Sequence, residues 1–259
     1  MSPPDHTDRL YGIHPVLEAL RSKQRAFEQI YLQQGRRGRE VDEILAMARA
    51  GRIPVVFKPR AFLDQMIASR HHQGAVGLVA AKPYLELDEL LDSIAGRTDP
   101  LLLLLDGIED PHNLGAVLRT AEAAGASGIV LPERRAIGLT ATVAKASAGA
   151  VEHLPVAKVV NLSQAIERLK LAKFWIYALD AGACRSYLEV DYRGPVALVI
   201  GGEGRGIRAL VAEHCDERVS IPMHGKVSSL NVSVATAIAL FEILRQRSGG
   251  GSVRRGGIE

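Results

Sequence analysis

Three stretches place chemically capable side chains where an apolar strand gives way to a helix. In "LLLLLDGIEDPHNLGAVLRTAEAAGA" the run from Leu101 leads through Asp106 and a Pro-containing turn to Asn113 and then Arg119. A guanidinium can grip an oxyanion with its planar fork, yet Asp110 or Asn113 could equally cap the helix while Arg119 makes a surface salt bridge. In "VALVIGGEGRGI" glycines surround Glu203, so backbone N–H groups could approach a ligand. The spacing from Gly202 is G-x-G-x-G, not the G-x-G-x-x-G of a dinucleotide site, and a carboxylate there would repel a pyrophosphate. A neutral or cationic ligand is the better fit. In "RVSIPMHGKVSSLNVSV" the last helix opens with Ser228, Ser229 and Asn231. One serine can serve as N-cap, and a buried Asn231 amide then calls for a ligand or a neighbouring loop.

Such junctions matter because ligands of open α/β sheets bind where strands end and helices begin. Runs rich in Val, Ile and Leu alternate with helix-period segments along nearly the whole chain, which predicts an α/β architecture with largely parallel strands. A first block has strands at "FEQIYL", "IPVVFK" and "AVGLVAA", with helices at Val16–Leu20, Val41–Ala50 and Arg60–Ser69. After an acidic linker holding a short helix at Leu87–Ile94, the second block has strands at Leu101–Leu105, Gly128–Leu131, Leu154–Ala157, Phe174–Leu179, Val196–Ile200 and Arg218–Ile221. Asn161 and Gln164 are spaced for a capping box. The expected organisation is an N-terminal domain at 1–81, a linker at 82–99, a C-terminal domain at 100–247 and a Gly-rich disordered tail at 248–259.

With 259 residues and 47% apolar content, the chain can bury a substantial core. Its formal charge of +3 is uneven: residues 1–80 hold 12 Lys and Arg against 8 Asp and Glu, and the remainder hold 20 against 21. That asymmetry suits a polyanion met by the N-terminal block, where "GRRGRE" offers Arg36, Arg37 and Arg39, although an ordinary solvated surface carries as much. Cys184 and Cys215 lack metal or disulfide spacing, and His71, His72 and His112 lack a third ligand, so no metal is expected. The start has no signal-peptide pattern and "PLLLLLDGI" is too short to cross a bilayer, so a soluble, cytoplasmic protein without a membrane partner is expected.

Together, "DPHNLGAVLRTAEAAGA", "LVIGGEGRGI" and "SIPMHGKVSSLNVSVATAIALFE" resemble, in order and spacing, the three motifs of the SpoU family of RNA ribose 2'-O-methyltransferases. "YGIHPVLEAL" and "HHQGAVGLV" resemble the small substrate-binding domain of that family's bacterial 23S rRNA guanosine-2'-O-methyltransferase branch. The resemblance implies a trefoil-knotted α/β methyltransferase domain behind a small ribosomal-protein-like α/β domain that binds RNA. It also implies S-adenosylmethionine as cofactor, 23S rRNA as substrate and a homodimer formed through the C-terminal domain. By matched position, Gly201, Ile221 and Leu230 would contact the cofactor, and Asn113, Arg119, Glu203, Ser229 and Asn231 would form the polar active-site set.

The reaction this implies is displacement at a sulfonium methyl by a ribose hydroxyl, a weak nucleophile whose proton must leave. A guanidinium with pKa above about 12 is a poor base, so Arg119 is assigned to positioning the hydroxyl and stabilising charge on oxygen. Glu203 is left either to orient Arg119 or to take the proton. Competing expectations are the same chemistry on tRNA, a nucleotide-dependent oxidoreductase that would leave two of the three clusters unused, and a non-catalytic RNA-binding protein.

Overall fold

The computed structural model describes residues 7–67 and 71–248, and the chain divides into two compact units. Its elements begin with β1 (Thr7–Tyr11), α1 (Ile13–Ser22), β2 (Phe27–Gln33), α2 (Arg39–Ala50), β3 (Val55–Lys58), α3 (Arg60–Ile67) and β4 (Ala75–Ala80). They continue with α4 (Leu87–Ile94), β5 (Leu101–Asp106), α5 (Pro111–Ala123), β6 (Gly128–Pro132), α6 (Ala141–Ala146), β7 (Val156–Val159) and α7 (Leu162–Leu171). The last are β8 (Trp175–Leu179), β9 (Arg185–Ser186), β10 (Val196–Gly201), α8 (Ala209–Glu213), β11 (Glu217–Ser220) and α9 (Val232–Ser248). The expected tail beyond Ser248 and the end of the helix expected at Arg60–Ser69 lie outside the described residues.

The first unit comprises the residues up to Pro83 together with Asp110–Arg119 and Ile137–Leu154. Its sheet has the order β1-β4-β2-β3, with β4 antiparallel to both neighbours and β3 parallel to β2. The three strands expected here are present, and β1 is an addition. Its sequence "TDRLY" buries only Leu10 among its described side chains, so an edge strand of this kind carries too little apolar alternation to announce itself. Helix α2 buries Val41, Ile44 and Ala48 on one face, and its first turn carries Glu40 and Asp42 where the helix dipole favours them. His72 is buried, accepts from the Gly74 N–H at Nδ1 (2.9 Å) and meets Asp64 through Nε2 (3.1 Å), which makes it the hydrogen-bonding loop residue expected.

Within this unit lies a buried ionic cluster. Arg25, whose side chain is 4% exposed, donates to Glu152 at 3.1 Å, to Asp8 at 2.7 Å and to the Ala80 carbonyl at 2.7 Å. Glu152 is fully buried, and its Oε2 has no hydrogen-bond partner among the described residues. Such a pair is costly to desolvate and much costlier to break on one side. On α5, Gly115 lets that helix meet α6 backbone to backbone: a Cβ there would stand 2.3 Å from the Ala146 Cβ.

The second unit is built on a seven-stranded sheet of order β7-β6-β5-β10-β8-β11-β9, with every pairing parallel. Parallel sheets are covered on both faces, which is why β5, β6 and β10 are near-continuous apolar runs with no polar alternation. Leu102, Leu104, Ala197 and Val199 pack in one core with Leu90 and Ile94 of α4 and with Leu162, Ile166 and Leu169 of α7. Helix α4 has the expected bounds and contributes two core residues from within the expected linker. Asn161 caps α7, accepting from the Ser163 and Gln164 N–H groups. The expected strand at Leu154–Ala157 lies two residues later in the structure, because Ala150–His153 forms a 3-10 turn first.

Candidate active site

The carboxyl ends of three neighbouring strands, β10, β8 and β11, open onto one cavity of about 650 Å³ lined wholly from the second unit. Apolar Leu179, Ile200, Ile221, Leu230 and Val232 share its lining with polar Asp180, Glu203, Arg205, Ser229 and Asn231. Six of the residues singled out in the sequence, Gly201, Glu203, Ile221, Ser229, Leu230 and Asn231, are thus gathered at one place, where an open α/β sheet binds its ligands.

The glycine loop packs backbone against backbone, on itself and on the end of β5. A Cβ on Gly201 would lie 2.2 Å from the Gly206 carbonyl carbon, and one on Gly202 would lie 2.0 Å from the Gly107 carbonyl oxygen. The Gly202 N–H donates to the Asp106 carbonyl at 2.9 Å, and the Gly206 N–H donates to the Gly202 carbonyl at 3.1 Å. Both glycines therefore exist to let backbone pack on backbone. Asp106, buried at the end of β5, accepts from the Arg208 N–H (2.9 Å) and from its guanidinium (2.7 Å), tying the far side of the loop to the same strand.

The cap of α9 corrects the sequence reading. Neither Ser228 nor Ser229 caps the helix; Asn231 does, its Oδ1 accepting from the Ser233 N–H at 2.9 Å, the Val234 N–H at 3.4 Å and the Ser233 hydroxyl at 2.6 Å. The reason lies in where the helix starts: with Val232 as its first residue, Asn231 holds the N-cap position, and the serines lie beyond reach in the preceding segment. The amide nitrogen of Asn231 donates to Glu203 Oε1 at 2.8 Å. Ser229 is left exposed in the cavity wall.

At the other junction the cap is Asp110, whose carboxylate accepts from the His112 and Asn113 N–H groups at 3.2 Å, with Pro111 at the first helical position. Asn113 and Arg119 lie on the part of α5 that belongs to the first unit. Arg119 is exposed, and the surface salt bridge considered for it is absent among the described residues.

Asp180, just past β8, was missed by sequence reasoning, although its place after an apolar strand is the same signal that singled out Asp106. Its carboxyl is held below the usual carboxylate range, chiefly by the Gly182 N–H (2.9 Å) and then by Arg218. Asp180 is thereby kept as a carboxylate paired with Arg218, and Glu203 is engaged at one oxygen. The cavity suits a small molecule with an apolar body and a neutral or cationic centre, within the size range of ligand sites. Among the described residues no group of His, Cys, Asp or Glu is placed to hold a metal ion.

A parallel α/β sheet with a close-packed glycine loop and a polar-rimmed cavity at its strand ends defines an α/β protein with a site of small-molecule size. Comparison with known proteins gives the family. A model of the SpoU rRNA methylase family matches residues 100–241, and one for RNA 2'-O ribose methyltransferase substrate binding matches residues 9–85. The chain belongs to the SpoU rRNA methylase family. It is 43% identical over 240 residues to the 23S rRNA (guanosine-2'-O-)-methyltransferase RlmB of Ralstonia nicotianae, covering 92% of this chain and 96% of the relative. It is also 43% identical over 244 residues to the protein of that name from Pseudomonas aeruginosa, covering 93% and 97%. Among solved structures, the AdoMet-bound rRNA methyltransferase from Sinorhizobium meliloti is similar at a TM-score of 0.77 and 26% identity, over 93% of this chain and 88% of that one. The SpoU methyltransferase AviRb from Streptomyces viridochromogenes shares the fold at a TM-score of 0.80 and 24% identity, over 95% and 91%.

Proposed function

We propose that this chain transfers a methyl group from S-adenosylmethionine to the ribose 2'-hydroxyl of a guanosine in 23S rRNA. The observation that carries this reading is the gathering of Gly201, Ile221 and Leu230 with Glu203, Ser229 and Asn231 around one strand-end cavity in a SpoU-family chain. The cofactor, when bound, supplies a methyl group already activated by its sulfonium charge. Gly201, Ile221 and Leu230 hold it against the cavity lining. Asn231 fixes Glu203 and the start of α9 together, so the loop at 202–206 is set before substrate arrives. With one oxygen on Asn231, Glu203 has its second oxygen for the substrate hydroxyl or for a guanidinium. Arg119 orients the 2'-hydroxyl and stabilises charge developing on oxygen, with Asn113 and Ser229 holding the ribose and the adjoining loops.

Residues 1–81 act as the RNA-capturing domain, joined by 82–99 to the methyltransferase domain at 100–247, and exposed Arg36, Arg37 and Arg39 support that role. Membership of the SpoU family supports a trefoil knot in the methyltransferase domain. An apolar stripe on α9 with Val234 47% and Phe241 50% exposed supports homodimerisation through that helix. The absence of a helix long and apolar enough to cross a membrane among the described residues is consistent with a cytoplasmic enzyme. The test is methyl transfer from labelled S-adenosylmethionine to purified rRNA and tRNA, with Arg119→Ala as control. Label in 23S rRNA, lost in the variant, is expected; label confined to tRNA overturns the target, and no label in either overturns the activity.

A further inference from the structure

Arg205 is the only cation among the described residues lining the cavity, and its guanidinium forms no ion pair among them. Its position is that of a loop apex. Gly204 and Gly206 on either side have φ of +79° and +63°, and a Cβ at either would find nothing within 4 Å. The Gly206 N–H to Gly202 carbonyl bond closes the loop beneath it. Arg205 is exposed, whereas Ile200, Ile221 and Leu230 are buried or half-buried, so it stands at the mouth of the cavity above an apolar lining.

Met223 and Ser228 both line the cavity, and the exposed segment between them carries His224 and Lys226. Of the two carboxylates in the lining, Asp180 is paired with Arg218, and Glu203 holds the Asn231 amide through one oxygen. An exposed planar cation without an ion pair among the described residues matches an anionic group arriving from outside, and the guanidinium fork matches a phosphate.

We infer that Arg205 is a positioning residue that grips a backbone phosphate beside the target ribose and so seats the RNA over the cavity. This rests on the reading of the chain as an RNA methyltransferase. A phosphate held equally before and during the reaction adds uniform binding, so its loss raises KM for RNA and leaves kcat nearly unchanged. The alternative source of an anion is the carboxylate of the cofactor's amino-acid part, and loss of that contact raises KM for the cofactor while leaving RNA affinity unchanged.

The experiment measures binding of the full chain to 23S rRNA across a salt series, S-adenosylmethionine affinity by calorimetry, and KM and kcat, for the unsubstituted protein, Arg205→Ala, Arg205→Lys and Arg193→Ala. In Arg205→Ala, RNA affinity falls roughly tenfold and the log–log salt slope shrinks by about 0.7 to 0.9, one phosphate's worth, while cofactor affinity is unchanged. Arg205→Lys keeps the slope and loses part of the affinity. Arg193→Ala, which removes a surface cation paired with Asp191, changes neither. A loss of cofactor affinity with the salt slope intact assigns Arg205 to the carboxylate and overturns the inference, as does an unchanged slope with unchanged cofactor affinity. RNA binding without methyl transfer in the unsubstituted protein overturns the proposed activity, and the slope still decides Arg205.

Discussion

Asn231 and Glu203, 28 positions apart, are joined by a 2.8 Å hydrogen bond in which the amide nitrogen of the residue capping α9 donates to the carboxylate of the glycine loop. The amide is divided between two tasks: its oxygen satisfies the open N–H groups of the helix, and its nitrogen holds the loop. Only a side chain that is acceptor at one atom and donor at the other can do both.

Replacing Asn231 by Asp separates those tasks. Aspartate is an equally good N-cap, so the melting temperature should shift little. It also sets a carboxylate against Glu203 where a donor stood, and methyl transfer should fall by about a hundredfold, the scale on which small misplacements of reacting groups act. Asn231→Ala should lose activity and also about 1 kcal/mol of stability from the cap. Thermal unfolding read beside initial rates separates the two; an Asp variant with full activity would remove Glu203 from the loop-fixing role.

The glycines of the loop differ sharply in what they tolerate. A Cβ at Gly202 meets the Gly107 carbonyl oxygen at 2.0 Å, a backbone atom that cannot swing away, whereas one at Gly204 meets open space. Gly202→Ala should therefore cost about 3 kcal/mol or more, or prevent folding, and Gly204→Ala only the roughly 1 to 2 kcal/mol of a left-handed backbone. Chemical denaturation of the two variants checks this ranking.

The Arg25–Glu152 pair, with side chains 4% and 0% exposed, predicts a strongly non-additive double-mutant cycle. Arg25→Met alone leaves a buried carboxylate unpaired and should cost about 3 to 5 kcal/mol, while Arg25→Met combined with Glu152→Leu should recover most of that loss. Additive effects in urea denaturation would mean that the pair is not buried in solution.

These cases also separate what the sequence makes legible from what it does not. The parallel sheet was legible because buried strands are apolar throughout, and the bounds of α4 because its apolar spacing is helical. Strand β1 escaped because Leu10 alone carried the pattern. The clustering of Glu203 with Asn231 was visible only through motif resemblance, since a contact across 28 positions leaves no local trace. The cap was misassigned because Ser228, Ser229 and Asn231 are all good caps and only the start of the helix chooses among them. The glycines signalled a close approach but could not say that the approaching partner was Gly107 rather than a ligand.

Burial pushes the Cys215 thiol up to about 12, while Cys184 is exposed. At pH 8 the Cys215 thiol keeps its proton, so a thiol reagent should label Cys184 first and reach Cys215 only on unfolding. The sign of the pH effect follows from the same shift. Above the thiol's ordinary value of about 8.5 the unfolded chain gives up this proton and the folded one keeps it, so stability from this group falls as pH rises toward 12. Labelling followed by mass spectrometry, and melting temperatures taken from pH 8 to 11, check both statements.

The most direct test of the account is the position of the transferred methyl group. The protein is incubated with labelled S-adenosylmethionine and unmodified 23S rRNA, and the RNA is then hydrolysed in alkali, which cannot cleave a linkage whose 2'-oxygen is methylated. The account predicts label in an alkali-resistant dinucleotide whose 5' member is guanosine. Label released in a single nucleotide, as base methylation would give, or no label in the RNA, would contradict it.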